Sequence, residues 1–174
     1  MNITVFGVGY VGLTTGACLA NLGHTVLCVD VDENKIAALQ RGKVPFHEPG
    51  LQELMNQNVK KGKLRFSTLA EEGVIFGEVI FNCVGTPSKD DGSANLEYVF
   101  SVAKMIGQHL NDYKVVVNKS TVPPGTARRT AEIISENNKQ DIPFDVVSNP
   151  EFLREGNAIR AFNYPDKIVV GTNS

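Results

Sequence analysis

Apolar runs typical of strands alternate with amphipathic helical stretches along the whole chain. Runs rich in β-branched residues predict strands over residues 1–6, 25–29, 64–67, 78–84, 115–117, 144–148 and 167–171. Apolar residues at helical spacing predict helices over residues 13–22, 33–40, 51–59, 96–110, 127–137 and 155–162. A strand that is apolar throughout, such as residues 115–117, is typical of a parallel sheet covered on both faces. The order of elements therefore predicts an α/β domain with a doubly wound parallel sheet.

A glycine-rich turn follows the first predicted strand. Gly7, Gly9 and Gly12 have the spacing G-x-G-x-x-G, an apolar helical stretch follows directly, and the second strand ends in Asp30. In such a βαβ unit Gly7 permits the tight turn, Gly9 lets the backbone approach a pyrophosphate, and Gly12 allows close helix packing. The helix N-terminus then supplies N–H groups to the phosphate charge. This pattern predicts a Rossmann-type dinucleotide-binding domain, with a purely structural glycine turn as the alternative.

The acid at the end of the second strand favours NAD over NADP. A carboxylate at Asp30 would accept hydrogen bonds from the adenosine ribose and would repel the extra phosphate of NADP. At about 4 Å and an effective dielectric of about 20, each unit of like charge costs up to about 4 kcal/mol. Lys35 would soften this repulsion, but no arginine directly follows Asp30.

Further polar clusters follow the ends of other predicted strands. The carboxyl ends of parallel strands line the ligand crevice of an open sheet, so we expect these clusters to lie on one rim with the glycine turn. They are Gly85-Thr86-Pro87, Ser120-Thr121 and Asn149-Pro150-Glu151.

Each rim residue also has a structural interpretation. Ser120 and Thr121 could cap a helix whose first turn holds Pro124. Glu151 could be a helix cap or a solvated loop acid, although a carboxylate on the rim suits proton transfer if burial raises its pKa. Arg154 could be a surface charge, and Lys119 an ion-pair partner at the strand end.

Composition excludes several functional classes. The chain has 174 residues, 42% of them hydrophobic and 21% charged, which suits one globular domain. A net charge of −2 gives no reason to expect nucleic acid or an acidic membrane surface as a partner. There is no apolar stretch of about 18 residues and no charged leader before the first strand, so we expect a cytoplasmic protein without a membrane span.

The cysteines and histidines do not have the spacing of a metal site. The cysteines form no C-x-x-C pair and are expected to be small buried thiols, Cys18 in the first helix and Cys28 and Cys83 in strands. The three histidines are scattered along the chain, so we predict no metal.

Six segments of the chain form a combination of motifs: residues 7–13, 45–51, 84–87, 119–123, 149–156 and 165–171. Among them, the sequence Asn-Pro-Glu-Phe-Leu combined with Lys-Ser-Thr-Val-Pro is hard to obtain by chance. Together the six segments resemble the UDP-glucose/GDP-mannose dehydrogenase family, in the order in which that family has them. The final segment resembles UDP-glucose dehydrogenases more than GDP-mannose enzymes.

The resemblance implies a four-electron oxidation of a sugar nucleotide, UDP-glucose to UDP-glucuronate, with two molecules of NAD. The intermediates are a thiohemiacetal and then a thioester on a cysteine. It implies catalytic roles for Glu151, as base toward the hydrolytic water, and for Thr121, through an ordered water. The sugar would be approached by Glu151, Phe152, Leu153, Arg154 and Glu155. NAD would be held by Gly7, Gly9, Tyr10, Val11, Gly12, Asp30, Lys35, Gly85, Thr86, Pro87, Ser120, Thr121 and Glu155.

The same resemblance implies that parts of such an enzyme lie outside residues 1–174. The family's cysteine occurs in a Gly-Gly-Ser-Cys-Phe segment that these residues lack, and Cys83 is no substitute because it is expected within an apolar strand. The family's catalytic lysine, central dimerisation helix and second domain are also absent. We therefore expect residues 1–174 to be the NAD-binding N-terminal domain of a homodimeric or larger enzyme, inactive alone.

Several alternatives remain open from the sequence. GDP-mannose and UDP-N-acetyl sugars are alternative substrates within the family. A β-hydroxyacid dehydrogenase shares the glycine turn but is expected to lack the Asn-Pro-Glu-Phe-Leu loop. A nucleotide-sensing Rossmann module without enzymatic activity would explain the missing nucleophile, but not the sugar-side loop.

Overall fold

The computed structural model describes residues 1–172 and contains one six-stranded parallel sheet. The strand order is β3-β2-β1-β4-β5-β6, and the chain crosses from one half of the sheet to the other between β3 and β4. The strands are β1 (Asn2–Phe6), β2 (Thr25–Val29), β3 (Leu64–Ser67), β4 (Val79–Asn82), β5 (Lys114–Asn118) and β6 (Phe144–Ser148). The predicted doubly wound Rossmann-type fold is confirmed.

Seven helices connect and flank these strands in the described part of the chain. They are α1 (Tyr10–Asn21), α2 (Glu33–Gln40), α3 (Leu51–Lys60), α4 (Ala70–Phe76), α5 (Glu97–His109), α6 (Thr126–Asn137) and α7 (Ala158–Asn163). Successive strand residues point to opposite faces, so the sheet has two cores. On one face Val5 and Cys28 pack with α1, α2 and α3, and on the other Phe6 and Ile80 pack with α4, α5 and α6.

Helix α4 has no counterpart among the predicted helices because Gly73 interrupts its helical pattern. Glycine is a poor helix former, yet this helix needs one for its packing. A Cβ atom at Gly73 would lie 2.8 Å from Val29 and 3.1 Å from the ring of Phe6. Gly73 therefore allows α4 to pack closely on the sheet, and it is also the residue that weakens the helical pattern in the sequence.

The predicted strand over residues 167–171 is wrong. Gly171 makes a single antiparallel bridge to Ser148 at the edge of the sheet, and the rest of the run is not in a strand. Ile168, Val169 and Val170 are 71%, 43% and 61% exposed. Their apolar side chains have no covered sheet face to enter within residues 1–172, so hydrophobic pattern alone does not produce a strand here.

Three smaller expectations also change. Cys83 is not inside a strand, because β4 ends at Asn82. The helix expected over residues 155–162 begins only at Ala158, after a turn. Helix α6 begins at Thr126, and its N-cap is Gly125, which has a left-handed φ of 90° that glycine adopts readily. Ser120 and Thr121 therefore lie too far before the helix to cap it.

Candidate functional site

The glycine turn brings three backbone segments into close contact. Gly7 has a φ of +89°, and a Cβ atom on it would lie 2.9 Å from the carbonyl oxygen of Cys83. A Cβ atom on Gly12 would lie 1.8 Å from the carbonyl oxygen of Gly7. The close approach at Gly12 is therefore between α1 and the turn itself, and neither position has room for a side chain.

The N-terminus of α1 is open to an anion. Its first turn has no acidic residue, and its N-cap, Gly9, provides no side-chain hydrogen bond. The first N–H group with a helical acceptor is that of Leu13, which donates to the Gly9 carbonyl at 3.0 Å. A Cβ atom on Gly9 would meet nothing within 4 Å. The amides of the first turn thus face unfilled space, which fits the pyrophosphate of a dinucleotide.

Asp30 anchors the turn to the end of β2. Its Oδ2 accepts from the Val8 N–H at 2.8 Å, and its Oδ1 accepts from the Asp32 N–H at 3.0 Å. The Lys35 ammonium lies 3.7 Å from Oδ2, with the Asp30 side chain 11% exposed. The carboxylate is therefore held at the rim with a small part of its side chain accessible from the crevice, as ribose recognition requires.

A crevice of about 680 Å³ runs along the carboxyl ends of the strands. This volume is in the range of ligand sites in proteins. Most of the predicted cofactor residues lie in its lining, together with the predicted catalytic residues. The predicted residues found in the lining are Gly7, Gly9, Tyr10, Val11, Asp30, Lys35, Gly85, Thr86, Ser120, Thr121 and Glu151.

Some predicted residues lie elsewhere. Gly12 is buried beneath the turn, and Pro87 and Glu155 are outside the lining of this crevice. Tyr98, Ser101 and Met105 of α5 do line it, although the sequence analysis did not single them out. Their spacing of three and four residues marks one helix face, but nothing in the sequence alone shows that this face borders the crevice.

Two hydroxyl groups join the loops of the rim. Ser120 Oγ donates to the Val84 carbonyl at 2.6 Å, and Thr86 Oγ1 donates to the Thr121 carbonyl at 3.0 Å. The side chains of Ser120 and Thr86 therefore hold the loops after β4 and β5 together. Thr121 itself is exposed at the crevice.

A second cavity of about 1280 Å³ lies beside the first, and Glu151 lines both. Phe152, Leu153 and Arg154 line only the second cavity. Glu151 Oε2 accepts from the Leu153 N–H at 2.5 Å, so its carboxylate also closes a local turn. The Asn149–Glu151 loop consequently separates the crevice from a second space large enough for another ligand.

Two of the basic residues that line this second cavity have different surroundings. Lys119 is buried, its ammonium donates to Asn149 Oδ1 at 3.2 Å, and burial lowers its pKa. The hydrogen-bond partner of the Lys119 ammonium is thus the neutral side-chain amide of Asn149 rather than a carboxylate. Arg154 is an exposed surface residue that lies 3.2 Å from Asp166.

All three cysteines are buried free thiols, as expected. Burial raises the pKa of Cys83 to about 12 and that of Cys18 to about 12, and it also raises the pKa of Cys28. A thiol with so high a pKa is a poor nucleophile at neutral pH. Although Cys83 lies next to the crevice, its environment therefore disfavours covalent chemistry.

Neither a metal centre nor a membrane span is found in residues 1–172. Within that range, no three His, Cys, Asp or Glu side chains come together as a metal site would require. None of the helices there combines the length and apolar character needed to cross a bilayer.

Comparison with known families gives a match over the whole chain. The profile described as "UDP-glucose/GDP-mannose dehydrogenase family, NAD binding domain" matches residues 1–174. UDP-glucose 6-dehydrogenase YwqF of Bacillus subtilis is 49% identical over 172 residues, 99% of this chain and 39% of that protein. UDP-glucose 6-dehydrogenase of Rhizobium meliloti is 49% identical over 174 residues, 99% of this chain and 40% of that protein. The chain thus spans about two fifths of the length of these relatives.

Solved structures agree on the fold. A UDP-glucose dehydrogenase from Pyrobaculum islandicum has a TM-score of 0.95 and 40% identity, covering 99% of this chain and 41% of that one. A GDP-mannose dehydrogenase from Pseudomonas aeruginosa has a TM-score of 0.94 and 39% identity, with the same coverage.

Proposed function

This chain belongs to the UDP-glucose/GDP-mannose dehydrogenase family as its NAD-binding domain, and on that premise we propose that it serves a sugar-nucleotide 6-dehydrogenase acting on UDP-glucose. The reaction oxidises the C6 alcohol of the sugar to a carboxylate and uses two molecules of NAD. The domain comprises residues 1–174, and the central helix, the sugar-nucleotide domain, and the catalytic cysteine and lysine belong to the rest of a longer protein.

The glycine turn and Asp30 support the cofactor assignment. The first-turn amides of α1 would bind the pyrophosphate, and the carboxylate of Asp30 would accept hydrogen bonds from the adenosine ribose. Lys35 would balance part of the charge of Asp30. Gly85, Thr86, Ser120 and Thr121, which line the crevice, would border the nicotinamide half. When bound, NAD supplies the hydride acceptor.

The single observation that carries the proposal is the position of Glu151 between the two cavities. A carboxylate there can accept a proton from water at the boundary of a cofactor site and a second ligand site. In this role Glu151 would act on the water that hydrolyses the thioester, with Thr121 orienting a water nearby. Phe152, Leu153 and Arg154 would face the sugar nucleotide.

The cysteines of this domain support a nucleophile located elsewhere. Cys83 is the thiol adjacent to the crevice, and burial raises its pKa to about 12. The thiolate that forms the thiohemiacetal would therefore come from outside residues 1–174. A domain with this site and without that thiolate is expected to bind NAD and to be inactive alone.

The test is an NADH assay on the full-length protein that carries this domain. UDP-glucose, GDP-mannose and UDP-N-acetyl sugars are offered in turn, and NADH formed is compared with sugar consumed. Two NADH per UDP-glucose is the expected result. If a folded protein that binds NAD forms no NADH with any of them, the dehydrogenase proposal fails and a nucleotide-sensing role takes its place.

GDP-mannose is the second candidate substrate. A GDP-mannose dehydrogenase matches this chain almost as well as the UDP-glucose dehydrogenase does, with TM-scores of 0.94 and 0.95. The segment 165–171 favours UDP-glucose. A kcat/KM for GDP-mannose above that for UDP-glucose would reverse this order.

A further inference from the structure

Glu48 is the one buried acidic side chain among residues 1–172. It lies in the loop between α2 and α3 and is 6% exposed. A buried carboxylate is costly unless hydrogen-bond donors satisfy its oxygens. The donors that surround Glu48 therefore show which parts of the structure depend on it.

Those donors come from two other parts of the chain. Glu48 Oε2 accepts from the Gly156 N–H at 2.8 Å and from the Tyr10 hydroxyl, and Oε1 accepts from the Ala158 N–H at 2.8 Å. The Gly156 N–H also lies 3.0 Å from the Tyr10 hydroxyl oxygen. Hydrogen bonds to a charged acceptor are the stronger kind. One carboxylate thus joins the first residue of α1 to the turn that precedes α7.

The proton stays on the tyrosine. Burial raises the pKa of Tyr10 to about 12, with a further contribution from the hydrogen bond to Glu48. Burial also raises the pKa of Glu48, but hydrogen bonds from Tyr10, Ala158 and Gly156 outweigh this effect and hold the pKa of Glu48 below its ordinary value. Glu48 is therefore an ionised acceptor at neutral pH.

The position of this cluster in the chain connects it to the site. Residues 151–155 end directly before Gly156; in this loop Glu151 lines both cavities, and residues 152–154 line only the second. At the other end of this loop, the Asn149 N–H donates to the Asn118 carbonyl at 2.9 Å and the Asn149 side chain donates to the Val169 carbonyl at 2.8 Å. The sheet thus holds the start of the loop, and Glu48 holds its end.

We propose that Glu48 is a positioning residue that fixes the end of the 151–155 loop to the helix of the glycine turn. Because Tyr10 is the first residue of that helix, the cofactor side and the sugar side of the site are held in one arrangement through this carboxylate. The positioning of a sugar-side loop rests on the function proposed above, whereas the anchoring of residues 151–158 does not.

The anchoring is tested by amide hydrogen exchange on the full-length protein and its E48Q variant. In E48Q an NH2 group replaces one of the two carboxylate oxygens. In either orientation of the amide, this NH2 group faces a backbone N–H donor, that of Gly156 or that of Ala158. We expect exchange to accelerate about tenfold or more over residues 152–160 and to stay unchanged in β1 and β4. E53Q is the matched control, because it removes the same charge from an exposed position of α3.

Unchanged exchange over residues 152–160 in folded E48Q would overturn the proposal, as would equal acceleration throughout the protein. Should E48Q not fold, E48D carries the test, because it keeps the charge but shortens the side chain by one methylene and so withdraws the carboxylate from the Gly156 and Ala158 N–H groups. Exchange at Gly156 and Ala158 should then rise while that in β1 and β4 stays constant. Protection at both positions equal to that of the unaltered protein would contradict the proposal.

The consequence for catalysis is measured separately. With UDP-glucose, E48Q should lower kcat about tenfold or more and leave NAD affinity unchanged, because the displaced loop carries Glu151 while the glycine turn stays in place. Equal kcat in E48Q, E53Q and the unaltered protein would overturn the positioning role. If the unaltered protein oxidises no sugar nucleotide, the proposed function fails, and the exchange experiment still decides the role of Glu48 in anchoring.

Discussion

The variants G12A and G9A add the same methyl group at two positions of the glycine turn. We expect G12A to lower the stability of the fold and G9A to weaken NAD binding. At Gly12 the new methyl group would lie 1.8 Å from the Gly7 carbonyl oxygen and 3.1 Å from the Cys83 side chain. At Gly9 it would meet nothing within 4 Å. The first substitution therefore changes the packing of α1, and the second changes only the space in front of its amides.

The magnitudes follow from these contacts. Alanine at Gly12 gains up to about 1 kcal/mol of helix propensity, but overpacking costs about 1–3 kcal/mol and occasionally more. Because the methyl group would lie only 1.8 Å from a backbone oxygen, the overpacking cost should be at the upper end of this range or above it, and we expect the free energy of unfolding to fall by about 2–4 kcal/mol. For a chain of this size, this corresponds to a Tm lower by roughly 4–16 °C. Gly9 has extended backbone angles that alanine adopts, and its replacement should change stability by less than about 1 kcal/mol.

Urea unfolding and calorimetric NAD titration of the 174-residue chain separate the two effects. G12A should shift the urea midpoint strongly. G9A should keep the midpoint and bind NAD about tenfold more weakly or worse, a loss of about 1.4 kcal/mol, because its methyl group occupies the space of the pyrophosphate. The reasoning is refuted if G12A is as stable as the unaltered chain, or if G9A binds NAD equally well.

Three further outcomes are expected. D30N keeps an acceptor oxygen but removes the charge, so the preference for NAD over NADP should fall at least about tenfold in paired titrations; an unchanged preference would contradict the role of Asp30. The pKa values of Cys18 and Cys83 are raised from 9.0 to about 12 in the folded chain, so the folded state holds these thiol protons more tightly than the unfolded state. This contribution to stability is complete below pH 9 and is lost as the pH rises toward 12. The urea midpoint should fall over that interval, and it should fall less in C18A. T4V should cost about 1–2 kcal/mol, because the buried Thr4 hydroxyl donates at 2.6 Å to a carbonyl of α4; an unchanged midpoint would show that water replaces this donor.

The strands of the sheet were predictable because their hydrophobic pattern and their environment agree. Every residue of β1 after Asn2 and of β2 after Thr25 is buried, which matches the mainly apolar, β-branched character of these strands. The rim was predictable for a topological reason. Parallel strands place their carboxyl ends together, so clusters far apart in sequence meet in one crevice that contains Asp30 and Glu151.

The prediction failed where long-range packing, rather than the local pattern, decides the structure. Gly73 weakens α4 as an isolated helix but permits its contact with β1 and β2. Residues 167–171 have the composition of a strand, yet only Gly171 pairs with the sheet among the described residues. At Gly73 a tertiary contact outweighs a low helix propensity, and at residues 168–170 strand propensity has no effect because no sheet face among the described residues covers the apolar side chains.

The sequence by itself determined the fold, the glycine turn and most of the predicted rim residues, because these depend on periodicity and on residue types at fixed spacing. Only the tertiary structure decided how the rim is held together. Glu48 is 38 residues from Tyr10 and 108 from Gly156, and no short-range pattern links such positions. A buried carboxylate must find donors wherever the folded chain brings them, and here they come from both sides of the site.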